Sequence, residues 1–267
     1  KGKNMITLNY LIRKKADVSA DAFRDYWMGE HAAMRLAVCE RMGIQKYTKC
    51  ETKHEAPITG LMQQMYGTPA DCYDFVDQMV INDLEDLKKG LGGAGLQDDL
   101  DAIAGSETAY VDFGGSDMWF SIDVPQVFAP GPCVAHPYEN TLLKVYYVPR
   151  RHPHLSLAQA QLHWNSCRGA MARQFAEFLP YVKYIQGHRA ESSVTDGLKA
   201  SYGEKFEDID LMIGQAEAWI DRRIVPSLQG PEVETMMGLL VEDITKFVDA
   251  GTSHIFAAKE HIILNKP

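Results

Sequence analysis

Residues 5–49 recur at residues 142–186 without a gap, and no other feature of the chain limits its fold as much. Tyr10 pairs with Tyr147, Arg13 with Arg150, Ser19 with Ser156, Trp27 with Trp164, Met34 with Met171, Lys46 with Lys183 and Tyr47 with Tyr184, all at an offset of 137 residues. A gapless match across a strand, a helix and a second strand implies one α+β unit used twice. It also localises function, because a position that differs between the copies marks chemistry that one copy has kept and the other has lost.

The local pattern gives each unit its order. In the first copy, Met5–Ile12 is apolar and rich in strand formers, and Ser19 is a good helix cap. Phe23, Tyr26, Trp27, Met34 and Val38 follow at helical spacing, and Gly43 is a favourable stop. Ile44–Lys53 and Tyr73–Ile81 read as strands. A helical stretch opens at Asp83 and is broken at Gly92–Gly95, and a second short helix runs to about Gly105. Glu107–Phe113 with Met118–Val124 closes the unit. The second copy reads the same way: strand Leu142–Val148, a helix from Ser156 to about Phe178, and strands Tyr181–Arg189 and Ile209–Ile220. Helical segments Arg222–Leu228, Pro231–Leu240 and Ile244–Asp249 and a last strand His254–Leu264 complete it.

The order β-α-β-β-α-β is ferredoxin-like. Pro125, Pro130, Pro132 and Pro137 mark a linker, so the expected division is 1–124, a linker at 125–140, and 141–267. A ferredoxin-like sheet carries helices on one face and must cover the other. The expected fold is therefore α+β: two ferredoxin-like repeats with sheets back to back, forming a pseudo-symmetric dimeric α+β barrel with one pocket per repeat.

Several function classes are excluded by the bulk chemistry. Of 267 residues 46% are hydrophobic and 24% charged, and the net charge is −9, so a core is affordable and a nucleic-acid partner is not expected. No stretch of 18 apolar residues, secretory leader or paired cysteine motif is read, and five scattered cysteines suit reduced thiols in the cytoplasm. The histidines form no HExxH or zinc spacing, and Gly90–Gly95 follows no first strand, so neither a metal nor a dinucleotide is expected as cofactor.

The run Arg13-Lys14-Lys15, Ser19, Phe23, Tyr26-Trp27 and His31 resembles the EthD family, in which a first strand ending in Arg leads to a helix carrying F-x3-W-x3-H. Gly43–Tyr47 resembles the strand that follows, and Tyr73–Leu87 the third strand and its D-x-E-x-L helix start. The resemblance extends to both halves and is sharpest over the β-α-β segment that opens each. It implies a dimeric α+β barrel, a fold shared by proteins of alkyl-ether degradation and fungal polyketide decarboxylases. Repeat two departs from it: Arg168 stands in the place of His31 and Ala160 in that of Phe23.

His31 lies one turn after Trp27, facing the sheet, and is the leading acid–base candidate. Tyr10 can donate to a developing oxyanion, and Arg13, at the end of the first strand, can hold a carboxylate. Trp27, Tyr47, His54 and Asp77 are expected to line the same cleft, with Tyr147, Arg150, Arg168, Tyr184, His188 and Glu217 as second-copy counterparts. Without cofactor motifs, the expectation is a cofactor-independent lyase, a decarboxylase of an aromatic or phenolic acid working with a His/Tyr pair and an Arg anchor. A cyclase, isomerase or dehydratase, a cofactor-free monooxygenase, and a non-catalytic ligand-binding protein are the alternatives. The partner is a small aromatic substrate; the pseudo-dimer lies within one chain, and a further homodimer is left open.

Overall fold

The computed structural model describes residues 6–91, 93, 95–127, 142–176, 181–203, 206–221, 223, 226 and 229–266. Eight strands pair antiparallel into one closed barrel in the order β1-β3-β2-β8-β5-β7-β6-β4. These are β1 (Ile6–Ile12), β2 (Lys46–Thr52), β3 (Phe75–Ile81), β4 (Asp117–Val127), β5 (Leu142–Val148), β6 (Tyr181–Ala190), β7 (Gly214–Asp221) and β8 (His254–Asn265).

The expectation of two ferredoxin-like units with back-to-back sheets is corrected by this closure. Each repeat alone has two edges with unpaired backbone groups, β2 and β4 in the first and β6 and β8 in the second. Here β2 pairs with β8 from Lys46↔Asn265 to Thr52↔Ala258, and β4 with β6 from Phe120↔Ala190 to Val127↔Tyr184. Edge pairing satisfies every ladder, which stacked faces would not. The sheets therefore join edge to edge, and their inner faces enclose a barrel interior.

That interior is polar at its centre. Asn9 Nδ2 donates to Ser121 Oγ at 2.9 Å, and Gln78 Nε2 and Gln215 Nε2 donate to Asn9 Oδ1 at 2.9 and 3.0 Å. Trp119 Nε1 donates to Gln215 Oε1 at 2.9 Å. Buried amides survive here because each finds a partner across the barrel. Around them lie Leu11, Cys50, Val76, Tyr146 and Phe256. Alternation sends the other residues of each strand outward, onto two helical layers: Leu8, Tyr10 and Ile12 pack in the first repeat's core, Val145 and Tyr147 in the second's.

The outer layer holds α1 (Ala20–Met28), α2 (Glu30–Arg41), α3 (Pro57–Tyr66), α4 (Leu84–Leu91), α5 (Leu96–Glu107), α6 (Leu157–His163), α7 (Gly169–Gln174), α8 (Ser193–Ser201) and α9 (Pro231–Ile244). The single expected helix from Ser19 to Gly43 is two helices, broken at Gly29, where a Cβ would lie 2.7 Å from Asp25 O. Its counterpart in repeat two is interrupted by a π-helical segment, Trp164–Arg168. Glu107–Phe113 is not a strand; α5 runs to Glu107, and the last strand of the repeat begins at Asp117. Residues 125–127 of the expected linker belong to β4, and the rest of it, with most of the helix expected at Arg222–Leu228, lies outside the described residues.

The crossed seams make a first prediction. Residues 1–127 and 142–267 expressed as separate chains are expected to co-purify as a one-to-one complex when produced together and to aggregate when produced alone. Size-exclusion chromatography of each preparation decides it; a monodisperse single half would contradict the seams.

Candidate functional site

The helical layer of repeat one covers a chain of buried charges. Ser19 Oγ caps α1 by accepting the Ala22 N–H at 3.2 Å, and α1 presents Phe23, Tyr26 and Trp27 to the sheet. One turn on, the His31 ring stacks on Trp27 at 3.7 Å between centroids, 14° from parallel. His31 Nε2 lies 2.8 Å from Glu107 Oε1 and Nδ1 lies 2.9 Å from Lys49 Nζ. Lys49 donates to Asp77 Oδ2 at 2.8 Å, and Asp77 also accepts from Trp27 Nε1 at 2.9 Å and Tyr47 OH at 2.6 Å. Glu107 accepts from Tyr10 OH at 2.9 Å and Arg35 Nη2 at 2.7 Å. With an ammonium at Nδ1 and a carboxylate at Nε2, the geometry assigns the imidazole proton to Nε2.

These charges lie in a dry layer. His31, Lys49, Asp77 and Glu107 are 0% exposed. Burial, then the charge of Lys49, holds His31 well below its ordinary range, so the ring stays neutral. Burial also brings Lys49 down to about 8, against the opposing pull of Asp77. Burial raises Glu107 despite Arg35. Over the cluster lies Tyr202, just beyond α8, whose hydroxyl accepts from Arg35. The space left beside Arg35 and Tyr202 is about 20 Å³, room for little more than a water.

Repeat two has the same frame with the charges removed. The offset of 137 places Arg168 at the position of His31, Ala172 at Arg35, Gln186 at Lys49, Tyr147 at Tyr10 and Ile244 at Glu107. In the third strand the register shifts. Tyr10 and Lys49 lie opposite Asp77, whereas Tyr147 and Gln186 lie opposite Ala216. Four buried charged positions thus carry Ala172, Gln186, Ala216 and Ile244. Three of these residues, with Arg168, Tyr147, Tyr184, Trp164 and Tyr66, line a cavity of about 90 Å³.

Its polar groups are few. The Arg168 guanidinium, on the π-helical segment, donates to Leu240 O at 2.8 Å and Tyr66 OH at 2.9 Å. The buried Tyr147 hydroxyl has no hydrogen-bond partner. Ser253, whose side chain bears on its ionisation, already donates to Asp249 O at 2.7 Å and accepts Arg150 N–H at 2.9 Å. Burial pushes the Tyr147 phenol up, so it is a donor at neutral pH. An unpaired buried hydroxyl costs free energy that a ligand oxygen would recover. π-Helical turns occur frequently at functional sites, and this one carries the cavity's cation.

The lids are exchanged between repeats. α3 of repeat one brings Ile58, Met62 and Tyr66 over the cavity of repeat two. α8 of repeat two brings Val194, Leu198 and, just past its end, Tyr202 onto the core of repeat one.

The remaining expected site residues lie elsewhere. Arg13 and Arg150, at the far ends of β1 and β5, pair with Asp71 and Glu207 and reach neither cluster. His54 sits between Asp74 Oδ1 at 3.3 Å and Cys72 Sγ at 3.6 Å, half exposed. Glu217 is the counterpart of Gln78, not of Asp77, and pairs with Lys144 inside the barrel at 2.8 Å. His188 stacks on Trp164 at 4.9 Å, and burial lowers it to about 4. Lys49, Arg35, Glu107, Tyr66 and Tyr202 went unread in the sequence. Lys49, at the centre of the apolar-facing register of β2, carried a usable signal: a lysine in phase with Tyr47 must be buried too.

Among the described residues no group of three or more His, Cys, Asp or Glu could hold a metal ion, and no helix is long and apolar enough to cross a membrane.

Residues 15–100 match the EthD domain. No curated protein sequence matches the chain. An anthrone oxidase-like protein superposes with a TM-score of 0.57 at 11% identity, over 98% of this chain and 94% of that one. A candidate monooxygenase from Fusobacterium nucleatum does so at 0.50 and 9% identity, over 97% and 93%. At these identities the likeness is one of fold. These two matches correct the expected cofactor-independent lyase, since both bear the names of oxidative proteins and neither that of a decarboxylase.

Proposed function

We propose that this chain, whose residues 15–100 belong to the EthD family, is an oxygenase that works without a bound cofactor on an enolisable or phenolic aromatic ring held in the cavity of repeat two. One observation carries the reading: an apolar, aromatic-walled cavity whose polar groups are the Arg168 guanidinium and tyrosine phenols, of which that of Tyr147 is unpartnered. The names of the two fold relatives point the same way.

The pair suits an anionic oxygen. A substrate ionised at a phenol or enol places that oxygen against the Tyr147 hydroxyl and the Arg168 guanidinium, as an oxyanion site would. Charge then spreads to the conjugated ring carbon. Dioxygen is apolar and partitions into the same largely apolar cavity. It takes an electron from the carbanion, couples to that carbon as a peroxide anion, and becomes a hydroperoxide by taking back from solvent the proton that the substrate released on ionising. Where the carbon was a methylene, loss of water leaves a carbonyl: R₂CH₂ and O₂ become R₂CO and H₂O. The cavity of about 90 Å³ is smaller than the roughly 150 Å³ hole that accepts benzene. Half-buried Met62 and Met237 line it, and their unbranched chains can swing to widen it.

An oxygen electrode tests this with anthrone-type and hydroxyaromatic compounds, on protein dialysed against chelator. The expected result is saturable uptake of one dioxygen per ring oxidised. Saturable binding of those compounds with no uptake would replace the oxygenase by a ligand-binding protein, a reading favoured by the absence of carboxylate or imidazole among the cavity's lining residues.

A further inference from the structure

The lysines that the repeat pairs, Lys46 and Lys183, converge on the mouth of the barrel. Lys46 opens β2, and Lys183 lies near the start of β6. Both line a single cavity of about 560 Å³ that reaches into the barrel interior, with Lys266 on the same rim. It is separate from the cavity of repeat two, which lies outside the barrel wall.

Charge is unevenly placed within it. The carboxylates of its floor are already engaged. Lys144 lies 2.8 Å from Glu217 and 3.2 Å from Glu260, and Asp123 accepts from Thr7 Oγ1 at 3.0 Å and Ser121 Oγ at 3.3 Å. The ammonium groups of Lys46, Lys183 and Lys266 have no carboxylate within 4.0 Å among the described residues. Lys183 rests instead over the Trp219 ring, 4.5 Å from its centroid. Burial, then the charge of Lys46, holds Lys183 below the usual lysine range. Both side chains are half-buried in a chain of net charge −9, where acidic partners are in surplus. Glu217 and Glu260 act on them from a distance but are already held by Lys144, and four lysines line the cavity against three carboxylates, an excess of positive charge that an anion would balance.

We propose that the barrel mouth binds a phosphate group between Lys46 and Lys183, on a phosphate monoester whose hydroxylated remainder enters the barrel. Lysine ammoniums bind phosphate as point charges, whereas carboxylate recognition favours the arginine fork, and no arginine lines this cavity. Below the rim, Thr7, Thr48, Gln78 and Asp123 supply donors and acceptors for hydroxyl groups. The pseudo-twofold explains why the site is single: two equivalent lysines meet at one axis. The proposal does not depend on the chemistry assigned to the other cavity.

Isothermal titration at low ionic strength with glycerol 3-phosphate, inorganic phosphate and glycerol tests it. Glycerol 3-phosphate should bind saturably, inorganic phosphate more weakly, and glycerol not at all. K46Q/K183Q should weaken glycerol 3-phosphate binding by about tenfold or more, and K46Q or K183Q alone by part of that, which keeps the test valid should the double variant fold poorly. K88Q/K89Q, on the exposed face of α4, should bind like the parent. Absence of saturable binding by glycerol 3-phosphate, or its persistence in K46Q/K183Q or in both single variants, would overturn the site.

Discussion

Replacing Glu107 with alanine is expected to destabilise the protein by about 3–5 kcal/mol, the usual cost of leaving a buried charge without its partner. One carboxylate holds Arg35, Tyr10 and His31 at 2.7, 2.9 and 2.8 Å in a layer that water does not reach. Its removal leaves one cation and two polar groups unpaired together. Glu107→Gln, which keeps an acceptor, should cost less. Urea melts of both variants check this, and a loss under about 1 kcal/mol for Glu107→Ala would mean that the cluster relaxes or hydrates. The same cluster gives stability a pH dependence. Lys49 in the folded chain releases its proton near 8, below its value in the unfolded chain. Between that pH and the ordinary lysine range the unfolded state binds the extra proton, so stability attributable to Lys49 rises as pH rises through this window. Lys49→Met should abolish that rise, as read from melts at pH 8 and pH 10.

Tyr147→Phe is expected to lower the oxygen-uptake rate by about 10²–10³, the worth of one donor at a developing oxyanion, with the melting temperature nearly unchanged. The hydroxyl has no partner to lose, so deleting it costs the fold nothing and the reaction a great deal. Arg168→Met should match the loss in rate but also lower stability, because the guanidinium ties Leu240 O to Tyr66. His31→Gln is the contrasting case: its ring is 0% exposed beneath Tyr202, and the expected result is a lower melting temperature with the rate retained. Stopped-flow rates beside thermal melts separate the repeats. A rate lost in His31→Gln and kept in Tyr147→Phe would move the working site to repeat one.

Much of the candidate site was legible because the repeat made a comparison possible inside one chain. The exchange of His31 for Arg168 beside a retained Trp27/Trp164 pair marks the pockets as unequal in the sequence itself. Their contents were not legible. Asp77 pairs with Glu217 in the sequence reading because both are carboxylates in apolar strand runs where the offset of 137 no longer holds; ladder pairing shows Ala216 at that place. The lids were missed for a different reason. α3 carries Pro57 at its start and Gly67, at φ 69, past its end, a sound pair of helix signals, but its apolar face serves the other repeat.

By itself the sequence determined the core β-α-β-β-α-β order of each repeat, though not the inserted α3 and α8, and with it the two-fold repetition and the positions equivalent between copies up to the second strand. These follow from local periodicity and capping, which need only near neighbours in the chain. Tertiary structure alone decided that the repeats join edge to edge into one barrel, since β2–β8 and β4–β6 pairing couples residues far apart in sequence. It also decided which pocket is full. Arg35, Lys49, Asp77 and Glu107 are ordinary residues in a linear chain, and only their meeting with His31 in a dry layer fills the space that Ala172, Ala216 and Ile244 leave open in the other repeat.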